Sequence, residues 1–169
     1  MTSFSPHPSN INMKNTFFIC LLLLTACRQQ PTENRNGPAT IPATFGLEAM
    51  HLKTITTFIN PKDGKTSTLF GNSAAYETLK DKTIPVEGEK KLVLVTWKLV
   101  GDPVWFGAMT PGEFLSIETL TTVNLLNPDP SADYQKLNGP SLTRDNSINE
   151  QQKLDRVRLM VSLQPTITP

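Results

Sequence analysis

The chain has 169 residues, 38% of them apolar and 18% charged, with 16 basic against 15 acidic side chains. A formal charge of +1, with no run of like charge reaching five or six residues, gives no field that would gather nucleic acid and argues against polyanion binding. Fourteen prolines against nine glycines favour loops and strands over helices, within one domain preceded by a leader.

Residues 1–12 (MTSFSPHPSNIN) have no periodicity and read as an upstream extension. Met13-Lys14-Asn15 then opens a short positive region, an apolar run follows to Leu24, and small residues precede Cys27. That is the layout of a secretory signal over residues 13–26. The apolar run is shorter than the roughly 20 residues a permanent span needs. Leu24-Thr25-Ala26-Cys27 resembles the lipobox of bacterial lipoproteins. The resemblance implies a thioether-linked diacylglyceryl group on Cys27, cleavage before it, and attachment to the membrane through lipid. Two or more acyl chains make a stable anchor, at roughly 0.8 kcal/mol per buried methylene. The expected location is the cell envelope, on the periplasmic face or the outer membrane. Arg28 is not the aspartate that resembles an inner-membrane retention signal, which favours the outer membrane.

Loss of the leader removes Cys20 and His7, and alkylation consumes Cys27, so no disulfide can form and His51 is the remaining histidine. Removing Lys14 from the 16 basic residues leaves 15 against 15 acidic ones. Multi-histidine zinc sites, Cys/His clusters and cysteine nucleophiles are thereby excluded from the mature chain. Residues 27–42, polar and proline-rich, read as a flexible tether, with the folded domain at 43–169.

Two β-branched runs, His51–Ile59 and Thr66–Phe70, flank Pro61-Lys62-Asp63-Gly64 and predict a hairpin. Asn72 is placed to cap a short helix over Ser73–Lys80, with Ala75 and Leu79 on one face. Leu92–Trp97 has the content of a strand buried on both faces, Leu92 and Leu94 one way and Val93, Val95 and Trp97 the other. A break at Gly101-Asp102-Pro103 leads to Trp105-Phe106 on a loop, read either as a ligand or partner surface or as rings folded back over the core. Phe114–Leu126 predicts a long half-buried strand with Leu115, Ile117, Val123 and Leu125 on one face. Residues 127–148 read as loop, Asn149–Leu154 as a helical turn, and Val157–Leu163 as a last strand by its alternation. The expected fold is α+β, a mainly antiparallel sheet of about five strands with one or two short helices.

Leu69-Phe70-Gly71-Asn72-Ser73-Ala74-Ala75 together with Val95-Thr96-Trp97-Lys98 resembles the cytochrome P-460 family, in the form found in small bacterial lipoproteins. The resemblance covers about a third of the chain. It implies an α+β domain and, for members of known activity, haem-dependent oxidation of hydroxylamine. Those cytochromes attach haem through Cys-x-x-Cys-His, which this sequence lacks, and no cysteine follows Cys27. Covalent c-type haem is excluded, and the family's lysine–haem cross-link has no assignable counterpart at Lys91 or Lys98. Non-covalent haem would have to draw on His51, Tyr76, Tyr134 or a methionine such as Met160.

No catalytic, cofactor or metal site is assigned. Asp102 and Glu113 flank the Trp-Phe loop and are considered as an acid–base pair, against a turn role for Asp102. No nucleophile-elbow pattern accompanies the serines. The sequence therefore predicts a lipid-anchored envelope protein acting as a non-enzymatic binding or structural module, with a small ligand or an envelope protein as partner. The alternative is a P-460-type redox enzyme using non-covalent haem.

Overall fold

The computed structural model describes residues 37–127 and 132–166. Its frame is a six-stranded antiparallel sheet in simple meander order: β1 (Lys53–Asn60), β2 (Lys65–Gly71), β3 (Lys90–Gly101), β4 (Met109–Thr122), β5 (Asp133–Asn138) and β6 (Thr143–Arg144). Two α-helices, α1 (Ser73–Lys80) and α2 (Glu150–Ser162), pack on one face. The fold is α+β, as expected from the sequence, with one strand more than the expected five.

The β1–β2 hairpin closes at Pro61–Gly64, where Gly64 takes a positive φ of 59° and Asn60 donates to the Asp63 carboxylate at 2.7 Å. That positive φ is what a glycine at the turn provides at no steric cost. After β2, the Asn72 side-chain carbonyl caps α1 by accepting from the Ala75 amide at 2.9 Å. It also accepts from the Lys91 amide at 3.2 Å, while its Nδ2 donates to the Glu89 carbonyl at 2.8 Å. One asparagine thus starts the helix and ties it to the head of β3.

β3 is the buried centre, and its two faces feed two separate cores. Leu92 and Leu94 join Ile55, Leu69 and Leu120 beneath the helices, with Ala75 and Leu79 from α1 and Val157 and Met160 from α2. Val93, Val95 and Trp97 point the opposite way and meet Phe114 and Ile117. That second face is covered by a strap of three 3-10 turns, Gly37–Ala39, Ala43–Phe45 and Glu48–Met50, whose Ala39, Ile41, Phe45, Leu47 and Met50 pack on it. The Trp97 indole Nε1 donates to the Ala39 carbonyl at 2.8 Å. Packed chain therefore begins before Ala43, within the segment whose composition reads as tether: a strap of short 3-10 turns needs no long helical or alternating pattern to lie on a sheet.

Three expectations are corrected. The segment Val157–Leu163 is not a strand: through Ser162 it is the second half of α2, which opens on a reciprocal capping box between Asn149 and Gln152. Its buried residues, Val157 and Met160, are three apart, the helical spacing. Residues 133–138, read as loop, form β5, and Thr143–Arg144 form β6. On β4 the face shared by Leu115, Ile117, Val123 and Leu125 does not exist, because the register slips where Thr96 pairs with Ser116 but Trp97 pairs with Phe114. The extra residue, Leu115, is a bulge that swings Phe114 onto the face of Ile117. The strand ends at Thr122, Val123 is exposed, and Leu125 is buried from the following loop instead.

The free edge of β1 is partly covered. Thr166 donates its amide to the Ile55 carbonyl at 2.9 Å, and its hydroxyl lies 2.9 Å from that of Thr56. Covering an edge in this way blunts strand-to-strand association.

Candidate functional site: a polar-floored groove on the helix face

On the helix face, one row of the sheet departs from the leucine core. Ser67, Thr96 and Ser116 are in register on β2, β3 and β4, and all three are buried. The Ser67 and Thr96 hydroxyls lie 2.9 Å apart, a hydrogen bond across two central strands. The next row carries Leu69, Leu94 and then Glu118, which is 2% exposed. A buried carboxylate is costly unless it is paired and hydrogen-bonded. Glu118 meets both conditions: Arg156 Nε and Nη2 donate to its two oxygens at 2.8 and 2.6 Å, and the Tyr134 hydroxyl donates at 2.8 Å.

These residues floor a groove of about 440 Å³, with Arg156 and Leu159 of α2 on one side and Phe58, Asn60, Asp63, Lys65 and Lys136 at the rim. Lys136 is itself held by Asp145 at 3.0 Å. The acceptor oxygens of Asp145 also receive the Ser147 hydroxyl and amide and the Asn138 amide group, which hold its carboxyl well below the usual range. The bidentate contact to Glu118 raises the Arg156 guanidinium above its ordinary value. Burial first, and then the negative charge of Glu118, push the Tyr134 phenol well up. The groove thus presents neutral hydroxyls on its floor and charges that are mostly satisfied within the protein. Chemically, the floor hydroxyls can donate or accept hydrogen bonds, and the Glu118 carboxylate in the next row is engaged by Arg156 and Tyr134.

The residues singled out from sequence lie elsewhere. Cys27 is outside the described residues. His51 sits at the end of the last 3-10 turn with a φ of 48°, exposed to solvent. The Asp102 carboxylate accepts from the Val104 and Trp105 amides at 2.8 and 2.9 Å, and those amides hold its carboxyl below its ordinary value. It is a turn-forming residue, which removes the pairing considered with Glu113. Trp105 and Phe106 do not fold back; they stand at the tip of the β3–β4 hairpin, 71% and 108% exposed.

The side chains available to ligate haem are otherwise placed. Met160 is fully buried in the helix-side core, Tyr134 is committed to Glu118, and Tyr76 lies under the Lys53 ammonium, 5.2 Å from its ring centre. His51 belongs to the strap side of the sheet. Neither His51, Tyr76 nor Met160 lines the groove, so the residues present do not fit a haem site there. Among the described residues no group of three or more His, Cys, Asp and Glu side chains is placed to hold a metal ion.

No known protein-family model matches the chain, and no curated protein matches it. The P-460 resemblance accordingly rests on the residues that carry it.

The groove was not found from sequence because Glu118 lies inside the apolar run Phe114–Leu126, and Arg156 is 38 residues away, between a segment read as a helical turn and one read as a strand. One signal was present: a carboxylate at a position where alternation demands an apolar side chain.

Proposed function

We propose that this is a lipid-anchored protein of the bacterial envelope whose domain binds a small, neutral or zwitterionic, hydroxyl- or amide-rich molecule in the groove above Ser67, Thr96, Ser116 and Glu118. The observation that carries this reading is the in-register row of buried hydroxyls across three central strands. Such a row forgoes apolar packing in the middle of a core face, where leucine would contribute more stability. The pairing of Lys136 with Asp145 and of Arg156 with Glu118 argues against a strongly charged ligand. Anchoring is supported by Leu24-Thr25-Ala26-Cys27. The P-460-like segment supports an ancestral scaffold whose haem chemistry this chain does not retain.

Two measurements test the two halves. Amide resonances of Ser67, Thr96 and Ser116 are followed while a panel of monosaccharides and free amino acids is added. The reading expects at least one to perturb these amides, and the Thr96→Val and Ser116→Ala variants to lose the response. A panel that leaves the groove amides unmoved sinks the binding reading. For the anchor, the intact mass of the membrane-extracted protein should fit an acylated chain beginning at Cys27, and Cys27→Ser should abolish that form. An unmodified N-terminus elsewhere removes it.

A further inference from the structure

The β3–β4 hairpin ends in a loop that no core claims. Val104, Trp105, Phe106 and Met109 are all more than half exposed there. An apolar cluster of this size at a projecting tip marks an interaction surface. The loop is also built rather than slack. The Asp102 carboxylate clamps the amides of Val104 and Trp105, the Asp102 amide donates to the Ala108 carbonyl at 2.9 Å, and Ala108 donates to the Trp105 carbonyl at 3.0 Å. Gly107 completes the turn with a φ of 80°. The two large rings are therefore held outward by backbone hydrogen bonds instead of collapsing onto the sheet.

Where the chain enters the domain decides between occupants. The strap meets the sheet at Ala39, bonded to Trp97, four residues before the end of β3 at Gly101. It leaves the strap face at Leu52, beside Lys53, which is in register with Gly71 and through it with Leu92 near the start of β3. The N-terminal entry and the apolar tip thus belong to the same end of the sheet. Gly37 lies ten residues after Cys27. Fully extended, that stretch reaches roughly 33–36 Å and no farther.

We infer that the Val104-Trp105-Phe106 tip, with Met109, inserts into the interfacial region of the lipid bilayer and forms a second membrane contact in addition to the lipid on Cys27. The inference rests on the anchored reading of Cys27, which holds this end of the domain near the surface. Tryptophan and phenylalanine suit the headgroup–acyl boundary, where an apolar ring meets water. The charged groups at this end, Lys62, Lys65 and Lys98 against Asp63, Asp102 and Glu113, are equal in number. Insertion is thus driven by apolar contact and is independent of anionic lipid. The two contacts fix the orientation of the sheet relative to the membrane.

The test uses the full-length lipidated protein reconstituted into phosphatidylcholine vesicles, with and without phosphatidylglycerol. Trp105 emission, taken as the difference between wild type and Trp105→Phe, is expected to shift to the blue and to be quenched severalfold by lipids brominated on the acyl chain. Equal quenching is expected in both vesicle types. Val104→Asp with Phe106→Asp, both at exposed positions, should stay in the vesicle fraction through the lipid yet abolish quenching of Trp105. A Trp105 that remains accessible to acrylamide and untouched by brominated lipid overturns the inference. So does shielding that appears only in anionic vesicles, or only once envelope proteins are added. The intact mass of the same sample reports Cys27 acylation separately, so loss of the anchor and failure of the tip to insert give different results.

Discussion

Arg156 grips Glu118 with both arms of its guanidinium, Nε at 2.8 Å and Nη2 at 2.6 Å, on the sheet face that also carries Leu69, Leu94 and Leu120. The pair joins α2 to the middle of β4 across 38 residues and sets the wall of the groove. Bidentate geometry fixes orientation as well as contributing energy.

Truncating one partner should show the cost of the other. Arg156→Met leaves Glu118 buried with only the Tyr134 hydroxyl, and is expected to cost about 3–5 kcal/mol. Glu118→Leu with Arg156→Met replaces both charges by apolar groups and should recover most of that loss. Chemical denaturation of wild type, single and double variants measures this directly. A double variant as unstable as the single one would mean the pair contributes more than mutual compensation.

Stability should also carry a mark of Tyr134 at alkaline pH. Burial and then Glu118 raise its phenol in the folded protein, while the unfolded chain releases that proton near the ordinary tyrosine value of about 10. Below about pH 10 both states hold the proton and the contribution is complete; as pH rises further, only the unfolded state loses it, and stability falls. The urea midpoint of wild type should therefore decline more steeply above about pH 10 than that of Tyr134→Phe. Parallel curves would place Tyr134 outside the Glu118 network.

Gly71 lies on the sheet directly against Ala75 of α1. A Cβ there would stand 2.7 Å from Ile55 Cδ1, 3.1 Å from Leu92 Cδ2 and 3.2 Å from Ala75 Cβ. Gly71→Ala forces at least the Ile55 rotamer to give way, at a cost of about 1–3 kcal/mol of overpacking. Thermal unfolding checks it; an unchanged transition would mean that Ile55 repacks freely.

For haem, the expectation is a colourless protein after expression with ample haem, without a Soret band or hydroxylamine oxidation. It rests on the missing Cys-x-x-Cys-His, on the burial of Met160, on the engagement of Tyr134 with Glu118 and of Tyr76 with Lys53, and on His51 lying outside the groove. A stoichiometric Soret band that survives gel filtration would restore the redox reading.

Much of the sheet was legible because local signals agreed with tertiary ones. Asp63-Gly64 marked the β1–β2 turn, Asn72 the cap of α1, and the alternation of Leu92–Trp97 the two opposed faces of β3. Sequence failed where two patterns fit the same residues. Val157, Leu159, Val161 and Leu163 alternate as a strand would, while Val157 and Met160 share a helical face. The deciding feature was Asn149-x-x-Gln152, which starts a helix whatever the later pattern. β5 escaped because Tyr134 and Leu137 are its only apolar residues, and a strand near the sheet margin needs few. The groove depends on a bulged β4 and a distant α2, which no single stretch encodes.

Trp97 offers the sharpest check on the strap. Its ring packs with Val93, Val95, Phe114 and Ile117, and its Nε1 holds the Ala39 carbonyl. Trp97→Ala should cost about 3–5 kcal/mol, from the cavity together with the lost bond. A domain without disulfides holds only about 5–15 kcal/mol in all, so that loss would unfold part of the population. Trp97→Phe separates the two contributions: it keeps most of the packing and removes the indole donor, and should cost less. If the strap depends on that bond, hydrogen exchange in Trp97→Phe should accelerate at Thr40 and Phe45, whose amides close the 3-10 turns at 3.1 and 3.0 Å, while the amides of β3 stay protected. Exchange that rises equally in both regions would mean the strap and the sheet unfold as one unit.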